Sequence, residues 1–101
     1  MTYEELVDDV LARNADVQAT KMMGMPSLKA NGKLFAGSVP DEDAAVFKLG
    51  GDEHSAALAL EGAHLFEPMA GRQMKEWVVV PKQHSDEWPG LADAAMRYAG
   101  K

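Results

Sequence analysis

Two adjacent residues, Asn31-Gly32, restrict the possible folds of this chain more than any other feature in it. They separate two runs of strand character, Ser27-Leu28-Lys29-Ala30 and Lys33-Leu34-Phe35-Ala36-Gly37-Ser38. Asn-Gly is the strongest two-residue hairpin signal because both positions accept a positive φ. A turn that short allows only antiparallel pairing, since parallel strands need a crossover of about a dozen residues or more. Pro40-Asp41-Glu42-Asp43 reads as a second turn and Ala44-Ala45-Val46-Phe47-Lys48-Leu49 as a third strand. The middle of the chain is therefore expected to be an antiparallel meander.

Helices are expected on both sides of it. Thr2 followed by Glu5 forms a capping box, and Tyr3, Leu6, Val7, Val10 and Leu11 recur at helical spacing until the pattern fades near Asn14. Gly50-Gly51 breaks the third strand; Asp52 is placed to cap a short helix running to about Leu60, with Gly62 as its stop. His64-Leu65-Phe66 reads as extended, Pro68 to Gln73 as a loop, and Lys75-Glu76-Trp77-Val78-Val79-Val80 as the best strand by β-propensity, ended by Pro81. The last helix is expected to start near Ser85, its cap, with Pro89 tolerated in the first turn and Trp88, Leu91, Ala92, Ala95 and Ala99 on its apolar face. Trp77 is expected beneath that helix, near Trp88. The order is α-βββ-α-ββ-α, a two-layer α+β domain with an antiparallel sheet, spanning 1–101 as one unit.

A chain of 101 residues holds one domain and one core. It contains no cysteine, which excludes disulfides, thiolate catalysis and thiolate metal sites. Ten basic against sixteen acidic residues give a net charge of −6, repelled at long range by nucleic acid and by anionic membranes. No run approaches the roughly 18 apolar residues of a membrane span, and the first residues are acidic where a signal peptide is basic; the expected compartment is the cytoplasm.

Met22-Met23-Gly24-Met25-Pro26 leads into a strand, Asn31-Gly32-Lys33 turns it, and Phe35-Ala36-Gly37 follows. Val46-Phe47-Lys48, Ala63-His64-Leu65-Phe66-Glu67-Pro68, Met74-Lys75-Glu76-Trp77-Val78 and a Trp88-Pro89 helix complete the series. In that order and spacing the chain resembles the small N-terminal-domain-like proteins of the bacterial TfoX/Sxy regulator family. The resemblance implies the two-layer fold shared with YjbR-like domains and type III secretion chaperones. It also implies a regulatory role, because TfoX/Sxy acts as a transcriptional co-regulator of competence.

Catalytic and metal motifs are missing. His54, His64 and His84 form no pair at helical spacing, no serine lies in a nucleophile elbow, and Gly50-Gly51 lacks the rest of a phosphate loop. No metal or cofactor is expected. Met22, Met23 and Met25 read either as alternating core positions in a strand or as an adaptable binding surface. Between Val17 and Pro40 there is no acidic residue, only Lys21, Lys29 and Lys33. Strand alternation turns Lys29 and Lys48 away from their apolar neighbours, so Lys29, Lys33, Lys48, Lys75 and Arg72 are candidates for a shallow basic platform. The expected function is a non-catalytic protein-interaction module using the open sheet face and the Met22–Lys33 region, monomeric or weakly dimeric, with another protein as partner. Two alternatives stand beside it: nucleic-acid association through the 29–33 hairpin as a basic wing, and binding of a small anionic metabolite.

Overall fold

The computed structural model describes residues 1–100. It is an α+β domain in the order α1 (Tyr3–Arg13), β1 (Val17–Met22), β2 (Met25–Ala30), β3 (Lys33–Val39), β4 (Ala44–Lys48), α2 (Gly51–Leu58), β5 (His64–Met69), β6 (Arg72–Pro81) and α3 (Trp88–Ala99). The six strands form one antiparallel sheet ordered β1-β2-β3-β4-β6-β5. Four strands precede α2 where the sequence pattern predicts three, and the additional one is β1. Its residues carry little strand signal of their own: Val17 and Met22 are buried, and Gln18, Ala19 and Lys21 face solvent. It becomes a strand by pairing residue for residue with β2, from Val17 opposite Ala30 to Met22 opposite Met25.

Local signals explain most of the remaining elements. The Thr2 hydroxyl accepts from the Glu5 N–H at 3.2 Å and the Glu5 carboxylate accepts from the Thr2 N–H at 2.7 Å, so both halves of the capping box form. Asn31 and Gly32 both take positive φ, as a two-residue hairpin turn requires. Other boundaries shift. Gly50, with no side-chain cap, precedes α2, and Asp52 lies inside its first turn. That helix stops at Leu58, and Gly62 sits in the turn beyond it. The expected loop from Pro68 to Gln73 is instead the closed end of a hairpin, with Met69 opposite Arg72 around Ala70-Gly71. A 3-10 stretch over Lys82–Glu87 leads into α3, and the Ser85 hydroxyl accepts from the amino group of Met1 rather than capping a helix.

Strand alternation sends two sets of apolar residues to opposite faces of the sheet. On the helix side, Leu28, Phe35, Ala45, Phe47, Val78 and Val80 pack with Leu6, Val10, Trp88, Ala92 and Ala95. A bulge in β3 places the consecutive residues Phe35 and Ala36 both on this side. On the face without helices, Met22, Val39, Ala44, Val46, Phe66, Trp77 and Val79 form a second buried cluster. Residues of both edge strands, Met22 of β1 and Phe66 of β5, belong to it, so the sheet curls around this face. Trp77, 6% exposed, is therefore not beneath the last helix with Trp88 but on the opposite face.

Tyr3 is the one imperfection in this packing. Its hydroxyl is buried and finds no hydrogen-bond partner in the protein, and burial raises its pKa far above the ordinary phenol range. An unpaired buried hydroxyl is destabilising by about 1–3 kcal/mol, while the ring beneath it still packs well. Tyr3→Phe is accordingly expected to stabilise the domain by about 1 kcal/mol in urea denaturation. A loss of stability would mean that the hydroxyl is hydrogen-bonded to solvent.

Candidate functional site

The curl of the sheet brings two hairpin ends together on the helix-free face. Met23-Gly24 is the two-residue turn between β1 and β2, and Ala70-Gly71 the turn between β5 and β6. Met23 from the first hairpin and Pro68, Met69, Arg72 and Met74 from the second line a cleft of about 340 Å³. Its floor continues into the second cluster, against which Met25 and Met74 also pack. Of the seven methionines in the chain, Met22, Met23, Met25, Met69 and Met74 gather here. Met23 and Met69 are 60% and 58% exposed, the two most exposed large apolar side chains of the described residues.

The backbone of Met23 is unusual. Among the described residues, the non-glycine positions with positive φ are Met23, Asn31 and Asp43. Asn and Asp tolerate the left-handed region because their short polar side chains bond locally; methionine has no such compensation and is strained there by roughly 1–2 kcal/mol. Strain of this kind persists where an exposed side chain serves a contact that the fold alone does not need. Methionine suits such a contact, since its unbranched, polarisable thioether adapts to irregular apolar surfaces. Charge at the cleft comes from Arg72 in its wall.

The five basic residues singled out in the sequence do not form one platform. Lys29 alternates with Leu28 and points to the helix-free face, half-buried, whereas Lys33 alternates with Leu34 and points to the helix side. The two arms of the 29–33 hairpin thus present their lysines on opposite faces. Lys33 and Lys48 share a second cleft of about 470 Å³ with Glu76, Tyr98 and Ala99, at the end of the sheet beside the C-terminus of α3. Arg72 belongs to the methionine cleft instead. Lys75 is exposed on β6, where its carbonyl oxygen lies 2.8 Å from His54 Nε2. The Met69 and Met74 contribution was hidden in the sequence by the expected loop over 68–73; the readable signal was Gly71, which closes a tight turn at φ +79.

His64 is the clearest titrating group. Its Nδ1 lies 2.9 Å from the Leu65 carbonyl oxygen and its Nε2 2.6 Å from the Glu42 carboxylate. Both ring nitrogens face acceptors, so the doubly protonated ring is favoured: the Leu65 carbonyl first and Glu42 second raise the histidine pKa. A raised folded value means that the stabilisation is complete below the unfolded value, about 6.5, and is lost as pH rises through the folded one. The wild-type advantage in melting temperature over His64→Gln is therefore expected to be greatest between about pH 5 and 6 and to shrink above neutrality. The pair is nearly half exposed, so the advantage is small.

Among the described residues there is no group of three or more histidines or carboxylates able to hold a metal ion, and no helix is long and apolar enough to cross a membrane. Comparison with family models, with curated proteins and with solved structures finds no match to this chain.

Proposed function

We propose that this chain is a non-catalytic regulatory or protein-interaction module of the TfoX/Sxy N-terminal type, and that its docking surface is the methionine-lined cleft between the β1–β2 and β5–β6 hairpins. The observation that carries the reading is the strained, exposed Met23 at a cleft lined by three methionines, Met23, Met69 and Met74, with Met22 and Met25 in the buried cluster of the same face. A purely structural turn would be better served by Asn or Gly at that position. The neighbouring side chains supply adaptable apolar contact, with Arg72 to orient an anionic group.

Stability and binding should respond to Met23→Asn in opposite directions. The variant is expected to raise stability by about 1 kcal/mol, because Asn accepts the left-handed conformation. It should at the same time reduce recovery of the partner in affinity purification after cross-linking in the source cells. Met69→Asp is expected to abolish that recovery with the fold intact. If the partners recovered were the same for wild type and both variants, the cleft would not be the docking surface.

A second reading, an anion site, draws on the convergence of Lys33 and Lys48 on one cleft. Glu76 in the same wall and the negative end of the α3 dipole beside it both oppose an anion. Titration of labelled protein with inorganic phosphate decides it: saturable shifts at Lys33 and Lys48 would favour this reading, and their absence would remove it.

A further inference from the structure

The two edges of the sheet are unequally protected. At one edge, β5 carries Pro68 and two breaks in register with β6, both of which discourage a further strand. At the other, β1 has six consecutive residues in unbroken register with β2 and no proline, with Lys21 as its single charge. Because Met22 and Met25 close a two-residue turn, they exchange both hydrogen bonds, and the pattern alternates from there. Gln18, Thr20 and Met22 are thus bonded into β2, while Val17, Ala19 and Lys21 turn their backbone groups outward. The Val17 N–H is taken locally by the Asn14 carbonyl oxygen at 3.4 Å. The N–H groups of Ala19 and Lys21 and the carbonyls of Val17, Ala19 and Lys21 are left facing away from the sheet.

Helix α1 overhangs this edge with an incomplete apolar side. Tyr3 and Val7 line a groove of about 300 Å³ with Ala19, Thr20, Pro26 and Ser27, and Glu4 and Asp8 stand on its rim. Leu11, one turn beyond Val7 on the same stripe, is 38% exposed. Side chains of Val17, Ala19 and Lys21 point to this helix side, since Val17 belongs to the helix-side core and Met22 to the other.

We propose that β1 pairs antiparallel with β1 of a second copy across a two-fold axis, joining the two sheets into one. The register that brings the charges together centres on Thr20: Ala19 of each copy exchanges both hydrogen bonds with Lys21 of the other, which sets Lys21 beside the groove that Glu4 and Asp8 rim. Val7 of each α1 helix then meets its counterpart over the new strand pair. The charges are self-complementary: the helix-side Lys21 of one copy enters the acidic rim formed by Glu4 and Asp8 of the other, in a chain that otherwise repels itself at −6. A two-fold contact of this kind uses up both open edges, and the protected β5 edges stop growth, so the assembly is a closed dimer rather than a filament. Both methionine clefts lie on the same side of the joined sheet. This surface is separate from the cleft, so the inference stands independently of the proposed function.

Sedimentation velocity on the full chain, from micromolar to millimolar concentration, tests it. Wild type is expected to show a concentration-dependent monomer–dimer equilibrium. Ala19→Pro, which removes an N–H that no bond within the fold uses, is expected to be monomeric with an unchanged circular-dichroism spectrum. Lys21→Glu is expected to lose the dimer as well, and Lys21→Glu combined with Asp8→Lys to regain it, which a mere loss of folding would not do. A wild type that stays monomeric at millimolar concentration would overturn the proposal. So would a dimer that survives both Ala19→Pro and Lys21→Glu.

Discussion

Trp88→Ala is expected to remove about 4 kcal/mol of stability. Trp88 is 2% exposed and is the largest fully buried side chain. It stands where the 3-10 stretch becomes α3 and fills the space between that helix and the sheet. Its indole N–H donates to the Val80 carbonyl oxygen at 3.3 Å, so truncation leaves both a cavity and an unpaired acceptor. A domain of this size has only about 5–15 kcal/mol in total, and each kcal/mol corresponds to roughly 4–8 °C in melting temperature. A fall of about 15–30 °C is therefore the expected reading in a thermal melt. A shift of a few degrees would mean that α3 is held mainly by its other contacts. Trp88→Phe, which keeps most of the volume and loses the donor, should lie between the two.

The second large effect is expected from the smallest change, Gly50→Ala. A Cβ at Gly50 would lie 2.2 Å from Cε1 of Tyr98 and within 2.8 Å of two further ring atoms. The conflict is steric, because the φ of Gly50 is −142°, open to any residue. Tyr98 has to yield: its ring lies between Gly50 and the Glu76 carboxylate, to which the hydroxyl donates. Making room means breaking that bond and lifting the last turn of α3 from the start of α2, an overpacking loss of about 2–3 kcal/mol. Gly90→Ala is the matched control. Nothing lies within 4 Å of a Cβ there, and alanine favours a helix interior, so stability should hold or rise by up to about 1 kcal/mol. If both variants unfolded at the same urea concentration as wild type, the Gly50–Tyr98 contact would not be holding the helix ends together.

The functional and stability predictions meet at Met23. A stabilising substitution that weakens binding is the signature of a residue kept for contact rather than for folding. The same logic separates the candidate surfaces: the methionine cleft responds to Met23 and Met69, the β1 edge to Ala19 and Lys21, and the Lys33–Lys48 cleft to phosphate.

How much of this was legible beforehand depends on how local the cause was. The Thr2–Glu5 capping box, the Asn31-Gly32 turn and the Lys75–Val80 strand are written in residues a few positions apart; the first two formed where the sequence places them, and the strand formed there and extends back to Arg72. Such elements rest on propensity, turn chemistry and side-chain bonds to nearby backbone, none of which needs a distant partner. β1 was not legible, because Val17–Met22 is extended only through its pairing with β2. The face of Trp77 was equally hidden. Alternation shows that Trp77 and Val78 point in opposite directions, but not which direction has helices, and the curl of the sheet created a second core where an open charged face was expected. The same curl gathered methionines from both ends of the sheet into one cleft and divided lysines that the sequence suggested as one platform. The sequence alone therefore determined the elements with local causes and the antiparallel α+β class. The tertiary structure decided which face is buried, which edge is open and which side chains meet, because sheet curvature and strand pairing are settled only by contacts between residues far apart in the chain.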